Sequence, residues 1–104
     1  MADATLRQVE KDFSLHGIQL LLNINDFDYP RIVRELALKL EEIHFFERSE
    51  MPSILYQIDL NESKLVSEIQ SLNPEETYFF IADKILKRCF EKVFWRYKMS
   101  NKKK

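Results

Sequence analysis

The sequence predicts an all-α domain, and three observations lead to that prediction. Glycine occurs once and proline three times in 104 residues, so the chain has few of the residues that build tight hairpin turns. Two segments open with strong helix-start signals and continue with apolar residues at helical spacing. Hydrophobic residues make up 45% of the chain, which is enough for one modest core. We therefore expect a compact bundle of four to five helices over residues 1–101, with a long C-terminal helix and a disordered basic tail at 102–104.

The N-terminal segment is the first predicted helix. Leu6, Val9 and Phe13 recur at helical spacing, so a helix is expected from about Ala4. Gly17 has two interpretations, because it can end this helix as a C-cap or interrupt a longer one.

A second helix is signalled at Asp28, with Pro30 in its first turn, and is expected to end near Arg48. The Asn- and Asp-rich residues 23–28 before it are predicted to be a loop. Leu38 and Phe45 form a smaller apolar ridge on the face opposite the main stripe, and we expect internal packing to cover it. The main stripe consists of Ile32, Val33, Leu36, Leu40 and Ile43.

The segment 52–72 has two interpretations. Alternation over residues 54–60 is compatible with a strand that pairs with residues 18–24, which would give an α+β fold. Two strands alone make a marginal sheet, so we favour a short helix from Pro52. Leu60, Asn61 and Leu65 then match a hydrophobic staple. They predict a further helix to Leu72 that places four residues in the core.

The clearest helix start is Asn73, followed by Pro74 and two glutamates, and the helix is expected to run to about Lys98. On a helical wheel one broad stripe is predicted to be core, and a charged face lies opposite. The stripe comprises Tyr78, Phe79, Ala82, Ile85, Leu86, Cys89, Phe90, Val93 and Tyr97. The charged face comprises Asp83, Lys84, Lys87, Arg88, Glu91 and Lys98.

Several short runs resemble sequences in a set of short, uncharacterised bacterial all-helical proteins of similar length. The runs are Leu55-Tyr56-Gln57-Ile58-Asp59 followed by Glu62, then Ile85-Leu86-Lys87-Arg88 with Glu91-Lys92-Val93. The resemblance implies an all-helical fold. It carries over no activity, cofactor or catalytic residue.

No catalytic or cofactor constellation is visible in the sequence, so we do not expect an enzyme or a cofactor. One glycine cannot make a phosphate-binding loop. Glu41, His44 and Glu47 have the spacing of half a helical metal site, but the second half is missing, so no metal is expected. Cys89 lies within the apolar stripe, which favours a buried structural thiol over a nucleophile.

Charge is divided along the chain. Residues 84–104 carry nine bases and one acid, whereas residues 1–83 carry seven bases and sixteen acids. This division and the aromatic residues of the last helix predict a partner-binding face. Its candidate residues are Lys84, Arg88, Trp95, Lys98 and Phe80.

A small soluble module for protein interaction or self-association, including as a homodimer, is the favoured functional prediction. Nucleic-acid binding by the basic, aromatic helix is the alternative, and the acidic remainder of the chain disfavours it. The same residue types also suit a membrane surface. No apolar run reaches the length needed to span a bilayer, and the cytoplasm is the expected location.

Overall fold

The computed structural model describes residues 2–22 and 28–102, and within these ranges all regular secondary structure is helical. The α-helices are α1 (Ala2–Ser14), α2 (Tyr29–Glu42), α3 (Met51–Ile58), α4 (Glu62–Ile69) and α5 (Pro74–Lys102), and a 3-10 helix spans Phe45–Glu47. The all-α prediction is confirmed, and the α+β alternative is wrong because residues 54–58 are helical and residues 18–22 form no strand. The predicted loop at 23–27 and the tail residues 103–104 lie outside the described residues.

Helix α5 is the spine of the bundle. Its 29 residues correspond to about 43 Å at the helical rise, and the longest extent of the molecule is 47 Å. Helix α1 runs antiparallel to it, because Asp12 contacts Lys92 while Gln8 contacts Arg96 one turn further on. Helix α2 is also antiparallel to α5, as predicted: its first residue, Tyr29, reaches Asp83 and its last turns lie beside the start of α5. The two helices leave the outer side of α5 open.

The helix starts agree with the capping signals. The Asn73 side chain accepts a 2.8 Å hydrogen bond from the Glu76 backbone N–H, and the Glu76 carboxylate accepts one of 3.1 Å from the Asn73 N–H. Asn61 likewise accepts a hydrogen bond from the Lys64 N–H, and Leu65 is buried as the staple requires. These local bonds satisfy backbone donors that have no partner inside the helix.

Helix α1 ends before Gly17, which has a φ of 79° in the left-handed region that glycine adopts at low cost. Its C-cap interpretation is therefore correct. Residues 18–22 have no regular secondary structure, and Ile18, Leu20 and Leu22 are buried. The Leu22 N–H donates to Glu10 at 3.0 Å, which ties this segment back onto α1.

The predicted end of α2 is wrong by six residues. The helix stops at Glu42, and His44 adopts a left-handed conformation with φ 51° before the 3-10 turn. This break turns Phe45 into the core, where its ring centroid lies 5.7 Å from that of Phe13. The N-terminal helix thus covers Phe45 internally, whereas Leu38 remains exposed.

Helices α3 and α4 differ in how much they bury. Ile54, Leu55 and Ile58 of α3 are buried, as the helical interpretation predicted. The prediction of four core residues in the α4 segment is wrong, because Leu65 is buried but Val66 is exposed and Ile69 and Leu72 are partly exposed. The two helices are joined by a turn in which Asp59 has a left-handed φ of 71°. Each is only eight residues long, so tertiary contacts must hold it.

The capping bonds at Asn73 predict a stability effect. Replacing Asn73 with Ala removes the acceptor for the Glu76 N–H, and we expect the free energy of unfolding to fall by about 1 kcal/mol. Asn73→Ser is the matched control, because a hydroxyl can still accept that bond. Urea unfolding of the two variants and the wild type measures the difference. Equal stability of the Ala and Ser variants would contradict a capping role.

Candidate partner-binding site

The face of α5 that packs into the bundle is rotated from the predicted stripe. Ala82, Ile85, Leu86 and Cys89 are buried as expected, but Phe79, Phe90 and Tyr97 are exposed. Conversely, Ile81 was not assigned to the stripe and is fully buried. The prediction that all nine stripe residues are core is therefore wrong, and three aromatic residues become candidates for binding.

The cause of this rotation is a buried polar network between α1 and α5. The Asp12 carboxylate is 1% exposed and accepts hydrogen bonds of 2.9 Å from Lys92 Nζ and from Gln8 Nε2. Lys92 Nζ also donates to the backbone carbonyl of Gln57 at 3.3 Å, which extends the network to α3. An uncompensated charge would be costly at such a site, so Lys92 must face α1 rather than solvent.

Two neighbours complete the network. Arg96 donates a 2.8 Å hydrogen bond to Gln8 Oε1, so a second base of α5 also turns towards α1. The Cys89 thiol donates to Asp12 Oδ2, the oxygen that also accepts from Lys92, over an S···O distance of 3.7 Å. Burial raises the pKa of Cys89 to about 12, and the nearby negative charge of Asp12 adds to this effect. A thiol with that pKa is protonated at neutral pH and is a poor nucleophile.

Three of the five predicted binding residues are engaged inside the protein. Arg88 forms a 2.6 Å ion pair with Asp59, and its side chain is only 29% exposed. Lys84 lies 3.9 Å from Glu68 of α4 and above the Phe80 ring, 5.2 Å from its centroid. Phe80 itself is partly buried against the core. These contacts neutralise much of the basic face on which nucleic-acid binding would depend.

The other two, Trp95 and Lys98, lie on the exposed end of α5. The Trp95 side chain is 57% exposed and its ring meets that of Phe94 edge to face, with centroids 5.8 Å apart. Lys98 Nζ lies over the same Phe94 ring, 5.5 Å from its centroid. Phe94 also stacks on Phe90 at 6.2 Å. A continuous aromatic surface therefore follows the outer side of α5 from Phe90 to Trp95.

Phe90 borders an apolar groove of about 570 Å³ where α1, α2 and α5 meet. Leu6, Ile32 and Leu86 supply aliphatic surface to it, and Tyr29 and Phe90 are both partly open to solvent. Lys87, Glu91 and Thr5 place polar groups at its edges. The sequence did not predict this groove, because Leu86 and Phe90 were both assigned to the core stripe of α5. The spacing of apolar residues along one helix does not show where a groove remains between three packed helices.

A hydrogen-bonded cluster fixes one edge of the groove. Tyr29 Oη donates to Asp83 at 2.5 Å, and Lys87 Nζ forms an ion pair with the same carboxylate at 3.0 Å. Desolvation and this hydrogen bond raise the pKa of Tyr29 above its usual range. Burial raises the pKa of Asp83, but the bonds from Tyr29 and Lys87 outweigh it and lower that pKa overall. The first turn of α2 is thus held against α5 without closing the groove.

Glu41, His44 and Glu47, which have the spacing of half a metal site, do not share one helix because α2 ends at Glu42. Glu41 stays on the helix, His44 is in the left-handed turn, and His44 Nδ1 lies 4.0 Å from a Glu47 carboxylate oxygen. Within residues 2–22 and 28–102, no three His, Cys, Asp or Glu side chains are arranged to hold a metal ion. The remaining histidine, His16, has a buried Nε2 without a hydrogen-bond partner among the described residues.

None of the helices in the described part of the chain combines the length and apolarity needed to cross a membrane. Comparison of the chain with protein-family models, curated protein sequences and solved structures gave no significant match. A function is therefore inferred from the groove and from the exposed end of α5.

The buried network predicts a double-mutant result. Asp12→Leu leaves Lys92 without its carboxylate, and we expect the free energy of unfolding to fall by about 3 kcal/mol. Adding Lys92→Met removes the unpaired charge, so the double variant should recover part of that loss. Urea unfolding of the two single variants, the double variant and the wild type measures the coupling. Additive losses would contradict a direct interaction.

The pKa of Cys89 predicts low thiol reactivity. Raising it from 9.0 to about 12 reduces the thiolate fraction near pH 8 by about three orders of magnitude, and burial blocks access as well. Ellman's reagent should therefore label the folded protein at least 100-fold more slowly than the urea-unfolded protein, an order-of-magnitude bound. Rapid labelling of the folded protein would show that Cys89 is accessible and ionised.

Proposed function

We propose that this protein is a small non-catalytic interaction module whose groove binds an apolar helix face of another protein chain. The observation that carries this proposal is the groove itself, with exposed Phe90 at its border and Leu6, Ile32 and Leu86 along it. A helix that docks in a groove between helices buries apolar side chains at regular spacing. Aromatic residues at such a site supply much of the binding energy.

The polar edges support the choice of a protein over a nucleic acid. Asp83 and Glu91 lie at the groove together with Lys87, and Lys87 is paired with Asp83. A phosphate backbone would meet this mixed edge without a net attraction. Two bases that precede Trp95 in α5 also have acidic partners: Arg88 pairs with Asp59, and Lys84 lies near Glu68. We therefore place the proposed binding surface at Phe90 and its neighbours instead of at Lys84 and Arg88.

Site-specific photo-cross-linking tests the proposal. We would replace Phe90 with p-benzoylphenylalanine, irradiate cells of the organism that produces the protein, and identify covalent adducts by mass spectrometry. Tyr56 is the matched control position, because its ring is 87% exposed on the outer side of α3 and far from the groove in sequence. We expect a defined protein adduct from position 90 and none above background from position 56.

The mass of the adduct identifies the partner. An adduct of two copies of this chain would show that the module self-associates, as the homodimer hypothesis requires. An adduct with another protein would identify a hetero-partner. Equal adduct patterns from positions 90 and 56 would contradict the proposal.

A further inference from the structure

The C-terminal end of α5 has a second exposed surface that the groove does not use. We call Phe94, Trp95, Tyr97 and Met99 the aromatic tip. Trp95, Tyr97 and Met99 are 57%, 61% and 59% exposed. Phe94 is partly buried between the rings of Phe90 and Trp95. Exposed apolar side chains of this size, side by side, indicate a surface that has a partner.

The tip surrounds the helix rather than forming a stripe. Trp95 and Tyr97 are two positions apart and so project about 200° from one another around the helix axis. Between them, Arg96 turns inwards and holds α1 through Gln8. A protein surface that packed against one side of α5 could cover Trp95 or Tyr97, but not both. Surroundings into which the end of the helix inserts can cover Trp95 and Tyr97 at the same time.

The charges near the tip are basic. No acid follows Glu91 in the sequence, and bases stand at positions 92, 96, 98, 102, 103 and 104. Lys92 and Arg96 are turned towards α1, whereas Lys98 is exposed and no acidic group of the described residues lies within ion-pair distance of it. Asp3, near the start of the antiparallel α1, is paired with Arg7 at 2.9 Å. The net charge presented at this end is therefore positive.

We propose that the aromatic tip inserts into the headgroup region of an anionic lipid bilayer. Trp and Tyr favour the boundary between headgroups and acyl chains, because one end of each ring system is apolar and the other forms hydrogen bonds. Lys98 then meets anionic headgroups, to which basic side chains near a bilayer are attracted. Helix α5 lies along the longest extent of the molecule, 47 Å against 30 and 26 Å, so its end contacts the bilayer first.

This inference adds to the proposed function and does not require it. On α5 the groove is lined by Leu86 and Phe90, which lie one to two turns before the tip. A protein bound in the groove would be brought to the membrane surface.

The sequence provides its own probe, because Trp95 is the only tryptophan of the chain. We would titrate the full-length protein with phosphatidylcholine vesicles and with mixed phosphatidylcholine–phosphatidylserine vesicles at low ionic strength. With the mixed vesicles, the emission of Trp95 should shift to shorter wavelength and lipids brominated near the headgroup should quench it. Sedimentation of vesicles should carry the protein down, and added salt should release it.

Variants assign the binding to the tip. Tyr97→Ala and Lys98→Glu should each weaken partitioning into mixed vesicles by about tenfold, through lost apolar contact and reversed charge respectively. Tyr56→Ala, which removes a still more exposed aromatic ring from α3, should leave partitioning unchanged. Helical circular dichroism should be the same for all three variants.

Three results would overturn the inference. The first is the absence of any spectral shift or co-sedimentation with mixed vesicles at low ionic strength. The second is an equal response to a mixed-sequence single-stranded oligonucleotide, which would assign the tip to nucleic acid. The third is a protein-concentration-dependent shift without vesicles, accompanied by dimers in sedimentation equilibrium, which would assign it to a second copy of the chain.

Discussion

The ion pair between Asp12 and Lys92 determines which side of α5 faces the bundle, and most other features follow from that choice. Asp12 is almost fully buried and Lys92 lies in the middle of the C-terminal half of α5, so the two can meet in only one rotation of the helix. In that rotation Arg96 reaches Gln8, and Phe90 and Tyr97 are left at the surface. A buried pair of this kind contributes little net stability compared with apolar residues of the same size. We infer that its main effect here is to fix the rotation of α5.

The same arrangement accounts for the division of charge along the chain. The acidic part and the basic part fold against each other, with Lys92 paired to Asp12, Arg88 to Asp59 and Lys84 close to Glu68. Surface pairs are individually weak, at about 0 to 1 kcal/mol, but they consume the positive potential of the helix. Positive charge without an acidic neighbour is then concentrated beyond Arg96. The sequence shows a basic C-terminal helix and an acidic remainder. In the folded protein the charges along most of that helix are nearly neutralised.

Local signals in the sequence identified the helix starts, whereas the packing of α5 depended on contacts that no local signal contains. Asn61 and Asn73 cap their helices with side-chain bonds that span three residues, so a short window of sequence is sufficient. The burial of Lys92 depends on Asp12, eighty positions earlier. A helical wheel groups residues by hydropathy alone, and it assigned Phe90 and Tyr97 to the core. The groove was missed for the same reason, since its lining combines residues of α1, α2 and α5 that are far apart in the sequence.

Asp59 shows how one position can serve two opposed requirements. Its left-handed backbone would be relaxed by glycine, which pays no steric cost at positive φ, and aspartate is among the few other residues that tolerate it. Glycine would, however, leave the Arg88 guanidinium without its carboxylate partner 2.6 Å away. At the turn between α3 and α4, the ion pair with Arg88 therefore offsets the backbone strain of Asp59. Any homologue that relaxes this turn with glycine should also have lost the arginine, so the two positions are expected to vary together.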